Sequence, residues 1–138
     1  MRILDAAWRA ALGWVFVQAG AGVLREPTGP AKKATPVLAL ARKAAPRDLP
    51  ADVVLVRVNA ATQVAAGTAL ILDVTPRLAA TVLIGSLVPT TFGGHRFWEI
   101  ERGPERNTQR NHLLKNISIV GGLLPVVITP RRSREDRA

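Results

Sequence analysis

The sequence predicts an all-α integral membrane protein: a bundle of four antiparallel transmembrane helices forming a single domain over residues 1–138. Three observations carry this expectation. Four stretches, at about 6–24, 53–72, 76–92 and 113–129, are long and apolar enough to cross or nearly cross a hydrocarbon core, which takes about 17–25 helical residues. The last of them, NISIVGGLLPVVIT, is apolar around its whole circumference, where a helix on a soluble surface would carry a polar stripe. Between the second and third stretches only residues 73–77 remain, a turn short enough to dictate an antiparallel helical hairpin. Bulk composition is silent by comparison. Apolar residues make up 48% of the chain and the mean hydropathy is +0.16, both ordinary for a soluble protein.

Taken in order, the first stretch resembles a secretory signal in length, but Arg9 interrupts its start and no small-residue cleavage pattern follows, so a retained span is expected. The connection over residues 25–52 holds Pro27, Pro30, Pro36, Pro46 and Pro50 and six basic residues, and is not expected to form one continuous helix. Within it, residues 37–45 suit either a short helix in the headgroup layer or a solvated loop. The third span is strictly apolar only over residues 78–92, with Pro76 suited to a first helical turn and Gly93 and Gly94 ending it. A polar connection containing Pro104 leads to the fourth span. Pro125 within that span is tolerable in lipid when neighbours satisfy the freed carbonyl. The charged tail over residues 130–138 is expected to be disordered.

With no cysteine, the chain offers no disulfide and no thiol chemistry. Its formal charge of +9, from 15 Arg and 4 Lys against 10 acids, would suit phosphate neutralisation on a nucleic acid. These charges lie between apolar runs rather than along one polar face, so membrane lipids are the expected partner and nucleic acid is not. The long connections carry ten Arg and Lys and the termini with the tight turn carry six, which leans towards cytoplasmic connections but leaves the orientation open.

Two groups of residues stand out chemically. In the second span Asn59 and Gln63 lie four apart and share a face with Ala66, Gly67 and Leu70, a face expected to point inward. Such amides either bridge neighbouring helices or contact a ligand. Ala61, Ala65 and Ala69, and Ser118 with Gly122, read as close-packing rows. Ions within a span need partners. For Arg9 the nearby acids predict a contact with Asp73, while Arg57 can snorkel outward or meet Glu99, Glu101 or an anion. The second group is His95, Trp98, His112, Lys115 and Asn116, around the last connection. Two imidazoles can relay protons, but two ligands are too few for a metal site, and none is expected. Trp98 and Lys115 also suit interfacial anchors.

The run GHRFWEIERGPERNTQRNHLLKNISIVGGLL, together with VRVNAATQVAAG, PRLAA, RAALGWVF and LREP, closely resembles the DoxX family, departing from its pattern at Leu114 and near Gly22. That resemblance implies a small four-helix membrane protein, multi-pass in the cell membrane and of bacterial inner-membrane type. The family is named for a subunit linked to quinone-coupled sulfur oxidation, and some relatives are associated with superoxide dismutase and a sulfurtransferase in oxidative and thiol stress. A membrane subunit supporting redox or thiol homeostasis is therefore expected, with a quinone as the candidate cofactor and soluble redox enzymes or further copies of the chain as candidate partners. Arg57, Asn59, Gln63, His95, Trp98, His112, Lys115 and Asn116 are the candidate ligand residues. The alternative is a non-catalytic membrane scaffold that binds an acidic soluble partner or anionic lipid through Lys32, Lys33, Arg42 and Lys43.

Overall fold

The small residues of the first and third helices decide how the chain folds. In the computed structural model, which describes residues 2–45, 48–94 and 97–128, five α-helices form: α1 (Arg2–Arg25), α2 (Thr28–Ala44), α3 (Asp52–Ile71), α4 (Pro76–Gly94) and α5 (Pro104–Ile128). A short 3-10 turn, Phe97–Glu99, precedes α5, and there is no strand among the described residues. His95 and the charged tail lie outside the described residues.

α1 packs most extensively on α3, and the contact is backbone to backbone. A Cβ at Gly13 would stand 2.5 Å from the carbonyl oxygen of Gly67, and one at Gly67 would stand 2.7 Å from that of Gly13. Seven residues further along α1, a Cβ at Gly20 would stand 2.6 Å from the carbonyl oxygen of Ala60, seven residues back along α3. The opposite progression of these pairs makes the two helices antiparallel. The row that permits this approach is Ala60 and Gly67, whereas Ala61 and Ala65 are exposed. The row expected from Ala61, Ala65 and Ala69 is thus rotated by about one residue, because the close approach of Gly13 and Gly20 turns Ala60 and Gly67 towards α1.

α3 reverses into α4 through a left-handed cap. Asp73 has φ 56°, the amide of Val74 donates to the carbonyl of Ala69 at 2.9 Å, and the amide of Asp73 reaches that of Leu70 at 3.4 Å. This is a Schellman closure, with Asp in the place that glycine usually takes. Pro76 then opens α4, where its missing N–H costs nothing. The cap also positions Asp73 for Arg9, whose Nε lies 3.7 Å from the carboxylate, a charge contact too long for a hydrogen bond.

The interior is narrow. Phe16, Leu70, Leu83 and Leu123 are its largest fully buried side chains, surrounded by Ala66, Ala79 and Ala80. Large apolar side chains instead cover the outside, including Trp14 on α1, Val54 and Val58 on α3, Val88 and Phe92 on α4, and Ile117 and Ile128 on α5. Contiguous exposed apolar surface of this kind suits lipid. Among the described residues, α3 and α5 are long and apolar enough to cross a membrane. α1 and α4 are not among them, the former carrying Asp5 and Arg9, the latter Arg77, Pro89 and a Thr pair.

Two boundaries differ from expectation. α2 is seventeen residues long and runs through Pro36, in place of either the short helix or the solvated loop expected at 37–45. Pro30 falls in its first turn, where no hydrogen bond is lost, the exposed Pro36 leaves its freed carbonyl to solvent, and Glu26 accepts the Thr28 amide at 3.3 Å. α5 begins at Pro104 rather than near 113, so its first turns are polar and stand clear of the apolar part.

Two variants test this packing. Gly67→Val is expected to destabilise the detergent-solubilised protein by about 2 kcal/mol through backbone overpacking, whereas Gly85→Ala, with open space around it, stabilises slightly. At the cap, Asp73→Gly should stay within about 0.5 kcal/mol of wild type, and Asp73→Val should cost more than about 1 kcal/mol in the same thermal unfolding assay.

Candidate functional site

The inward face of α3 meets α4 at one hydroxyl. Asn59 Nδ2 donates to Thr90 Oγ1 at 3.2 Å, Gln63 Nε2 reaches the same oxygen at 3.5 Å, and Thr90 Oγ1 itself donates to the carbonyl of Ser86 at 2.9 Å. The Thr90 oxygen is thereby saturated, with one proton given and two accepted. Each amide keeps a second N–H, and among the described residues neither amide oxygen has a hydrogen-bond partner. Gln63 is only 6% exposed, so this spare capacity lies inside the protein.

It opens onto a half-open cavity of about 510 Å³ lined by α1, α2, α3 and α4. The walls are apolar, with Val23 from α1, Leu38 from α2, Leu55 from α3 and Pro89 from α4. The polar groups are Asn59, Gln63 and Thr90 at one pole, and Lys33 of α2. The space exists because Ala19, Ala34 and Ala60 are too small to fill it. A cavity of this size, with few convergent polar groups, matches the usual form of a small-molecule site, roughly 300–1,000 Å³.

α2 is held against α3 by a clasp at Asp52. Arg42 pairs with its carboxylate at 2.6 Å and donates to the carbonyl of Pro50 at 2.7 Å, while Thr35 Oγ1 donates to Asp52 Oδ2 at 2.7 Å. The basic end of α2 thus docks on the first residue of α3, a placement favourable to both helix dipoles.

The candidate residues do not gather at one place. Asn59 and Gln63 share the cavity. Asn116 is buried on the opposite side of α4, donating to Thr91 Oγ1 at 3.0 Å, so the neighbouring Thr90 and Thr91 serve α3 and α5 respectively. Arg57 is exposed on the outer face of α3, with no ion pair to Glu99 or Glu101, and Lys115 is exposed on α5. Trp98 is about half exposed and packs obliquely on Phe92, ring centroids 6.4 Å apart, while His112 is half-buried on α5. His95 lies outside the described residues, so its approach to His112 has no geometry here. Sequence reasoning did not single out Thr90, Pro89 or the α2 wall. The polar pair of Thr directly after a proline in an apolar run is the signal that points to α4.

Thr90→Val leaves the part-buried Asn59 and the buried Gln63 amides without their acceptor and should cost about 1–2 kcal/mol, whereas Thr90→Ser, which keeps the oxygen, should be near neutral. Chemical or thermal unfolding of the two variants in one detergent reads the difference.

Compared with known proteins, residues 4–96 match the family model described as DoxX, about two thirds of the chain, from the first turns of α1 past the end of α4. No curated protein and no solved structure matches the chain. α5, with its GGLL run, lies beyond the matched region. With the matched helices covered in outward apolar side chains, and α3 among the two capable of crossing a membrane, the chain belongs to the DoxX family.

Proposed function

We propose that the chain is a multi-pass cell-membrane subunit of DoxX type whose α1, α3, α4 and α5 cross the bilayer as four antiparallel spans in one domain, and that it supports redox or thiol homeostasis by holding a lipid-soluble quinone in the cavity beside Thr90. One observation carries this reading: a half-open, mostly apolar cavity in which the amides beside Thr90 have unspent hydrogens. A quinone is a mostly apolar molecule with carbonyl oxygens that need donors when buried, and Asn59 and Gln63 each have an N–H to give. In this arrangement the amides orient the ring, Val23, Leu38 and Leu55 exclude water, and Lys33 adds positive charge to the lining. A bound quinone supplies two-electron chemistry; no residue of this chain is assigned a catalytic role.

α1 and α4 enter as spans on two supports. Both carry outward apolar side chains, Trp14 and Val15 on α1 and Leu78, Val88 and Phe92 on α4, and both flank α3 directly. Arg9 is less costly in lipid beside Asp73. A scaffold role has a narrower support, since Lys32 and Lys43 project from the exposed face of α2 while Arg42 is occupied by Asp52.

Full-length protein purified from its own membranes in mild detergent should release quinone on solvent extraction, and Asn59→Leu with Gln63→Leu should lower the retained amount on the order of tenfold. Wild-type protein that never retains quinone, or a double variant that retains it equally, would sink this reading.

A further inference from the structure

We propose that the cavity beside Thr90 selects a quinone carrying an ionised acidic substituent, and that Lys33 is the residue that reads this charge. The inference deepens the quinone reading above and rests on it. Lys33 is the one charged residue in the cavity lining, and no Asp or Glu lines it. Its ammonium makes no ion pair and no hydrogen bond among the described residues. The acids flanking α2 are engaged or stand apart. Glu26 accepts from Thr28, Asp52 accepts from Thr35 and pairs with Arg42, and Asp48 is exposed outside the lining. A cation beside apolar walls is screened less than one in bulk water, so an anion on a ligand gains more there than a neutral group does.

The backbone of α2 favours the same sign of ligand charge. Gly29 lies in its first turn, one helical turn before Lys33, and both line the cavity. The Gly29 amide has no hydrogen-bond partner among the described residues, and a Cβ at Gly29 would meet nothing within 4 Å, so the chain there is open to approach. Unpaired N–H groups at a helix start carry partial positive charge and stabilise an anion beside them. Burial divides the lining. Gln63 is 6% exposed and Lys33 is exposed, which sets the amides inside and the ammonium at the mouth. A neutral quinone gives the amides a carbonyl oxygen and leaves Lys33 to water. A quinone with a hydroxyl conjugated to its carbonyl is a vinylogous acid, ionised at neutral pH, and it offers an oxygen to the amides and a negative charge to Lys33.

The test titrates the full chain in mild detergent, by calorimetry, with lawsone, a hydroxylated naphthoquinone, and with its neutral methyl ether. The quantity read is the ratio of the two dissociation constants, in which micelle partitioning of each probe cancels when variants are compared. The preference for lawsone should fall on the order of tenfold in Lys33→Gln. The same variant should bind the neutral ether as wild type does, which shows that its cavity is intact. Lys32→Gln, exposed and outside the lining, should keep the wild-type ratio. A ratio unchanged in Lys33→Gln, or lowered equally in Lys32→Gln, overturns the charge selection and leaves the quinone reading standing. Binding of neither probe by the wild-type chain overturns the quinone reading, and the selection with it.

Discussion

Where α1 crosses α3, the two backbones touch, and no side chain separates Gly13 from Gly67 or Gly20 from Ala60. In lipid this matters more than in water, because burying another apolar side chain gains little when the surroundings are already apolar. Association then depends on close van der Waals contact and on polar bridges. The glycines and Ala60 provide the first. They also fix the rotation of α3 about its own axis, and every polar contact made by α3 inherits that rotation.

The consequences follow around the helix. With Ala60 and Gly67 turned to α1, Asn59 and Gln63 face α4 and the cavity, and Arg57 and Val58 face outward. Thr90 receives both amides and Thr91 receives Asn116, so consecutive residues of α4 tie it to the helices on either side. Such bridges are worth roughly 0.6–2 kcal/mol each in a membrane. They also orient the groups that a ligand would meet, so packing and recognition draw on the same side chains.

The two ends of the molecule are closed differently. At one end the left-handed cap at Asp73 turns the chain in four residues and leaves a carboxylate near Arg9. At the other, α2 is held to α3 through Thr35, Arg42 and Asp52 and forms one wall of the cavity. α2 therefore forms this wall by packing on both α3 and α4 and is pinned at Asp52 by polar contacts.

The sequence by itself determined the helical class, the positions of α3, α4 and the apolar part of α5, the inward face of Asn59 and Gln63, and the pairing of Arg9 with Asp73. These depend on local periodicity, on proline and glycine at helix ends, and on the cost of an unpaired charge, all of which are written in neighbouring residues. The tertiary structure alone decided that Ala60 rather than Ala61 meets α1, that α2 runs through Pro36, and that Thr90 and α2 complete a cavity with the two amides. It also separated Asn116 and Arg57 from that cavity. Each of these outcomes depends on the relative rotation and depth of helices distant in sequence, and a shift of one residue turns a helix by about 100°, enough to exchange an inner side chain for an outer one.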